Sequence, residues 1–353
     1  MTGPGGPPLL SVVLPVGGVE EYLPACLDSV LGQPGPAIEV IAVDDASPDR
    51  CGAILDARAA RDPRLRVIHL PTAIGPGPAR DRGLADAAGE YVWFVDPDDL
   101  LAPGALAAVA ARLERDEPDL LLLDYLLLHR SGRTEHSPGA DLLAAAAGTG
   151  GAATLAGRPG LINRTMTLWS KVFRRPFLTG LGIALAPGVH EDVPLSCAAL
   201  LSARRISLLD EVCYLYRQRG RSFLATPSMG HFSIFSSYAR VFAFLAEDPW
   251  PAARPPLTPA VRAAVFGRAM EHYTTVLAAG LVPRTARRDY FHRMAADFRR
   301  YRPPGYQRPA GARGLKMRLV ERDGYLAYSL LGPLNELRVG ARSALRRVAQ
   351  QPG

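Results

Sequence analysis

The stretch YVWFVDPDD (91–99) sets three carboxylates, Asp96, Asp98 and Asp99, directly after five largely apolar residues. A short apolar run rich in aromatic and β-branched residues reads as a buried strand. Carboxylates crowded at its end repel one another and resist desolvation unless something positive joins them. A hard cation such as Mg²⁺ or Mn²⁺ takes oxygen ligands and completes its shell from substrate phosphates, which an Asp-x-Asp cluster can serve. The same four residues can also form an Asx-capped turn. Two further acidic pairs stand out: Asp44–Asp45 ends AIEVIAVDD (37–45), and Glu191–Asp192 precedes VPLSCAALLSA (193–203). Asp192 reads either as a helix cap or as a base beside an acceptor hydroxyl. Only one acid of that pair can serve as the base, because adjacent side chains point different ways.

The elements that must position these residues follow from periodicity. LLSVVLPV (9–16), AIEVIAVDD (37–45), LRVIHL (65–70) and the run from Tyr91 read as strands. EEYLPACLDSVLGQ (20–33) reads as an amphipathic helix, Ser47 or Asp49 can cap the next, and GPGPARDRGLADA opens a third. Strands separated by single helices require right-handed parallel crossovers, hence an α/β fold with a mostly parallel, doubly wound sheet flanked by helices. Ligands of such sheets bind outside the carboxyl ends of the strands. Asp44–Asp45 and the Asp96 cluster are both expected there. GPGPAR (75–80) differs from a dinucleotide fingerprint: it ends in Arg80, carries two prolines and follows the third strand, not the first.

Composition narrows the function classes. The chain has 353 residues, 48% of them hydrophobic and 21% charged, as in ordinary globular proteins. Its longest apolar runs fall short of the ~20 residues that a membrane span needs. The start MTGPGGPP lacks the basic and apolar regions of a signal peptide. Cys26, Cys51, Cys197 and Cys213 show no paired or zinc-like spacing and are expected to be reduced, buried and cytoplasmic. The net charge of +7 is uneven. From Arg299 onward there are 12 Lys/Arg against 3 Asp/Glu, a surplus of +9, so the first 298 residues carry 29 against 31, or −2. A near-neutral body argues against nucleic acid as a partner.

In order, SVVLPV, VDDASPD, GPGPARDRGL and GEYVWFVDPDD closely resemble the family 2 glycosyltransferases, whose fold is GT-A. LWSKVFRRPFL (168–178), VHEDVPLS (189–196) and ARRISLLDEVCYLYRQRGRS (203–222) are similar to that family's acceptor half, so the resemblance covers roughly residues 9–224. It implies an inverting, Mn²⁺- or Mg²⁺-dependent transfer of a sugar from a nucleotide-diphosphate donor, a UDP-sugar by preference. The acceptor would be a cell-surface glycan, a polyol-phosphate polymer or a lipid-linked precursor. Pro15 would border the nucleotide, Asp44 and Asp45 would contact base and ribose, and Arg80 would reach the base or diphosphate. Asp96 would touch ribose or metal, Asp98 would be the main metal ligand, and Asp99 would cap the segment that follows. Asp192 would be the general base, kept ionised by the helix start, with Glu191 beside it. Trp169 and Lys171 would line the acceptor side, while Arg217 and Arg219 would close over the diphosphate.

One departure matters. The family's Pro-Val-Tyr-Asn is here Pro15-Val16-Gly17-Gly18, so the aromatic expected beside the base is missing. A nucleotide- or glycan-binding protein that keeps the fold without turnover is therefore the competing reading. The expected organisation is a nucleotide-sugar half (1–100), an acceptor half (101–225), a helical extension (226–301) with helices over 258–280 and 283–301, and a basic linker and tail (302–353). Residues 315–348 mix leucines with arginines, as does an amphipathic helix on an anionic membrane or one docked on the body.

Overall fold

Strand β1 (Leu10–Val16) is buried along its whole length and forms the spine of the first half. It pairs in parallel with β2 (Ile38–Asp44) on one side and β4 (Tyr91–Phe94) on the other, and β2 pairs in parallel with β3 (Leu65–His69). Helices α1 (Leu23–Leu31), α2 (Cys51–Ala59) and α3 (Pro76–Ala85) make the crossovers. The computed structural model describes residues 6–137, 153–163, 166–219, 226–247 and 250–331.

Among the described residues, nine strands form one sheet in the order β3-β2-β1-β4-β8-β6-β9-β5, with β7 on β6. The added strands are β5 (Leu100–Leu101), β6 (Leu120–Leu128), β7 (Thr134–His136), β8 (Lys171–Arg174) and β9 (Ile206–Arg217). The expected parallel order holds from β3 to β4. Beyond β4 the sheet is mixed, because β8 runs antiparallel between β4 and β6, while β6 and β9 are parallel.

Alternation along β1 divides the interior in two. Val12, Leu14 and Val16 pack with α1, α2 and α4 (Ala105–Asp116). Val13 faces the opposite layer, built by α3, α5 (Arg175–Gly180) and α6 (Asp192–Ser202). That second core runs on into α7 (Ser233–Leu245), α8 (Pro259–Ala278) and α9 (Arg287–Tyr301) through Phe235, Tyr238, Phe266, Tyr273 and Tyr290. The helical extension thus shares a core with the sheet. Thr258 caps α8 by accepting the Val261 N–H at 3.2 Å, with Pro259 at the first helical position. The second extension helix starts later than expected, at Arg287, after a short 3₁₀ turn over Arg284–Ala286.

The basic linker is irregular only as far as Ala310. Helix α10 (Gly311–Glu321) follows and buries Met317 and Val320 in the extension's core. This part of the tail docks on the body, and residues 332–353 lie outside the described residues. No described helix is long and apolar enough to cross a membrane. All four cysteines are buried and free.

Candidate active site

The carboxyl ends of β2, β3 and β4 bring the acidic pairs to one rim. Asp44 Oδ1 accepts the Ser47 N–H at 3.1 Å, and its Oδ2 lies 2.9 Å from His69 Nδ1 at the end of β3. Burial pushes this carboxyl up, but the hydrogen bonds from Ser47 and His69 outweigh it and hold the group below its ordinary range. Asp44 and Asp56 hold His69 above the ordinary imidazole range. Asp45 accepts the N–H groups of Ile74 (2.7 Å) and Gly75 (2.8 Å) and so fixes the entrance to α3. Ala46, next in the chain, lies in the left-handed region at φ 49°, a costly conformation for a residue with a Cβ. Pro15 is buried in β1, in register with Val43.

Arg80 joins the two ends of the site. It is buried on α3, with Nη2 2.7 Å from Asp96 Oδ1 and Nη1 2.8 Å from Glu191 Oε1. Desolvation disfavours its charge, but the two carboxylates outweigh that and raise its pKa. Gly77 permits this approach: a Cβ there would meet the Ala186 carbonyl at 2.6 Å and Glu191 Cγ at 3.2 Å. Sequence reading sent Arg80 to the base or diphosphate. In the structure each outer nitrogen lies on a carboxylate, because the loop bearing Glu191 closes over the same helix.

Asp98 pairs with Arg219 Nη2, and burial together with the charge of Asp96 raises its carboxyl against the pull of Arg219. Asp99 is fully buried and does not cap the segment after it. It accepts the Tyr214 O–H at 2.8 Å and the Arg217 N–H at 2.8 Å, tying the β4 end to β9, and burial beside Asp98 pushes it well up. Arg217 Nε donates to the Asp98 carbonyl at 2.8 Å. The guanidiniums of Arg217 and Arg219 lie 5.2 and 5.4 Å from the Tyr22 ring centre, within cation–π range.

A divalent cation can be tested against this donor set. Asp96 gives one oxygen to Arg80 and Asp98 one to Arg219, so each carboxylate retains an oxygen of the hard type such a cation prefers. Among the described residues no three of His, Cys, Asp and Glu cluster as a metal cage. The pair therefore suits an ion held by one or two carboxylates and otherwise by phosphates.

At the opposite wall Asp192 is the first residue of α6, and the helix has no side-chain cap. The capping alternative fails on this geometry. Nor does the helix start keep the carboxyl low: burial and the charge of Glu191 push it up to about 7 against Arg80 and Lys171. His190 just before the pair lies in the left-handed region at φ 64°. Its carbonyl accepts the Ser237 O–H from α7 at 2.9 Å, and Ser233 bonds the Val189 carbonyl. His190 Nε2 lies 3.3 Å from His231 Nδ1, and its ring meets His272 of α8 edge-on at 5.0 Å. Burial beside His231 lowers His190 to about 4, and burial also depresses His231 and His272. His231 and His272 of the helical extension thus buttress His190, and through it the Glu191–Asp192 turn, in surroundings that disfavour the charged imidazole.

Trp169 and Lys171 lie beneath the surface. Trp169 stacks on Tyr214 at 4.5 Å and Tyr216 at 5.1 Å, with Tyr125 edge-on at 4.6 Å. Lys171 is fully buried, and its Nζ donates to the Thr167 carbonyl at 2.6 Å. Neither presents a face to an acceptor in this conformation; the mixed half of the sheet covers both. Sequence reading missed Tyr22, Tyr214 and the His190–His231–His272 cluster. Tyr22 looked like an ordinary helix residue, and histidines 41 residues apart, as His190 and His231 are, give no local signal.

Residues 11–127 match the family described as Glycosyl transferase family 2. The uncharacterized glycosyltransferase EpsJ of Bacillus subtilis is 30% identical over 231 residues, covering 62% of this chain and 64% of that protein. The succinoglycan biosynthesis protein ExoO of Rhizobium meliloti is 36% identical over 105 residues, 28% of this chain and 30% of that one. The chain thus spans less than two thirds of the length of these curated relatives. A solved structure of Staphylococcus aureus TarS residues 1–349, in complex with UDP-GlcNAc, superposes with a TM-score of 0.69 at 21% identity, over 94% of this chain and 92% of that one. Residues 11–127 are thus similar to glycosyl transferase family 2, and the fold around them is GT-A-like.

Proposed function

We propose that this protein is an inverting glycosyltransferase that moves a sugar from a nucleoside-diphosphate sugar to a hydroxyl of a glycan, polyol-phosphate or lipid-linked acceptor. The observation that carries the reading is Arg80, which holds Asp96 of the donor rim and Glu191 of the acceptor wall in one buried bridge. An acid group beside Glu191 would then be close to the place where a donor held at the strand ends presents its sugar. That neighbour is Asp192.

Asp192 takes the proton from the acceptor hydroxyl while that oxygen forms a bond to the anomeric carbon. The bond from that carbon to the diphosphate oxygen breaks with its electron pair, and the configuration inverts. A carboxyl poised near 7 is matched to proton transfer at neutral pH. Asp44 and Asp45 shape the nucleoside pocket, and Arg217 and Arg219, braced on Tyr22, lie where a diphosphate would enter. Asp96 and Asp98 would hold Mg²⁺ or Mn²⁺, which when bound neutralises charge on the leaving diphosphate. The UDP-GlcNAc in the TarS complex and the polysaccharide role in ExoO's name support a UDP-sugar donor and a cell-surface acceptor.

The test is a screen of nucleotide sugars for Mn²⁺-dependent thermal stabilisation, followed by transfer and hydrolysis assays on those that bind. A ligand at about 100 times its Kd adds about 2.7 kcal/mol, which is readily seen. Binding with neither transfer nor hydrolysis of any donor would favour the binding-protein reading.

A further inference from the structure

A second cleft, of about 720 Å³, opens on the helical extension between the end of α9, the connection 303–310 and α10. Its walls carry Arg302, Arg308 and Arg318 against a single acid, Glu321, a local surplus of +2. None of these residues belongs to the candidate active site. The volume falls within the range of small-molecule sites, roughly 300–1,000 Å³.

The cleft is built rather than incidental. Arg302 and Arg308 each place one Nη1 on a different oxygen of Glu321, so one carboxylate holds two guanidiniums. A guanidinium has five N–H donors in a fixed fork, and one is used in each of these contacts. Both side chains are about half exposed and line the cleft. Tyr306 forms a rigid wall, its ring edge-on to Phe266 at 4.7 Å. Gly314 is required at the floor, because a Cβ there would lie 1.9 Å from the Pro309 carbonyl. Helix α10 begins at the rim without a side-chain cap, so its first N–H groups add to the positive end. The whole positive excess of the chain, +9 from Arg299 onward, lies in this segment and the tail that follows.

We propose that this cleft binds a phosphate group, apart from the nucleotide of the transfer reaction. Forked arginines match phosphate bidentately, and their donors outnumber what Glu321 takes up. The phosphate could belong to a soluble polyol phosphate or to a lipid headgroup. Leu315 in the wall, and Leu326 and Leu330 just beyond, are exposed and would sit against the apolar part of a lipid surface.

The experiment uses the full chain at low salt with two probes: glycerol 3-phosphate by calorimetry, and phosphatidylglycerol vesicles, with phosphatidylcholine vesicles as reference, by sedimentation. Binding of either probe, weakened at least tenfold in Arg308→Ala/Arg318→Ala while nucleotide-sugar binding is unchanged, supports the proposal. Binding of glycerol 3-phosphate identifies a soluble phosphate, and binding of the anionic vesicles alone identifies a headgroup. If the double variant does not fold, Arg318→Glu, at an exposed position, gives the same reading. Failure of both probes to bind, or equal binding by wild type and a folded variant, overturns it.

Discussion

Two aspartates at the ends of the candidate site, Asp44 and Asp192, have carboxyls displaced in opposite directions. Ser47 and His69 hold Asp44 low, whereas burial and Glu191 push Asp192 to about 7. The partners of Asp44 come from the loop after its own strand and from the neighbouring strand. The neighbours of Asp192, Glu191 and His190, are held by partners from α3, α7, α8 and the 3₁₀ turn holding His231. On the proposed function, the donor rim would keep its acid ionised as a fixed charge, while the acceptor wall would keep one near neutrality, where it can take up a proton. The identical side chain is displaced in two directions because one site supplies hydrogen bonds and the other withholds water.

The largest expected effect is on Asp192. Asp192→Asn should lower turnover by roughly two to four orders of magnitude with donor binding nearly intact. Wild-type turnover should rise with pH through about 7, as the base loses its proton. Because the folded pKa is raised, the stability linked to this carboxyl is complete below its unfolded value and is lost as pH rises through about 7. Asp192→Asn should therefore melt above wild type at pH 8. Asp44 has the reverse sign: its contribution is present above the ordinary carboxylate value and lost on acidification. Asp44→Asn should melt below wild type at pH 7, by about 2–4 °C for each kcal/mol lost. If the two variants shift Tm in the same direction at pH 8, the contrast between the ends is wrong.

Asp98→Ala comes next. It should remove metal-dependent donor binding, by about 100-fold at saturating Mn²⁺ in calorimetry, because the leaving diphosphate loses its counter-ion. Comparable losses of donor binding in Asp98→Ala and Asp192→Asn would mean the roles are divided wrongly. A smaller effect is expected at the buttress. His190→Ala should cut turnover roughly tenfold, less than the ~100-fold that a misplacement of 1 Å can cost, with donor affinity unchanged. His190→Gly relieves the left-handed backbone but loses the same ring contacts, so it separates strain from support. A drop in donor affinity equal to the drop in turnover would show that the buttress holds the whole site and not the acceptor turn.

The smallest effect concerns the missing aromatic. A Cβ at Gly17 would meet nothing within 4 Å, so a side chain fits there. Gly17→Tyr should tighten UDP binding by about 5-fold or more if the base is uracil, since stacking contributes about 1–3 kcal/mol per base. Unchanged affinity in a folded variant would place the base elsewhere.

The first four strands, their crossovers and the acids at their ends were legible in the sequence, because alternation, Gly/Pro punctuation and strand-end polarity are all local. The order of those motifs also carried the resemblance to family 2 glycosyltransferases, which the match over residues 11–127 repeats. The tertiary structure alone decided what the charged groups do to one another. Nothing near Arg80 in the chain foretells Glu191, 111 residues away, or that Asp99 serves β9 and not the segment that follows it. Trp169 and Lys171, which the resemblance placed on the acceptor side, are buried beneath strands from elsewhere in the chain, a burial no local pattern announces. Burial depends on which distant segments arrive, and in a medium that excludes water burial sets whether a carboxyl is a fixed charge or a base. The sequence by itself therefore determined where the acids stand, and only the packing of remote helices decided which of them can accept a proton.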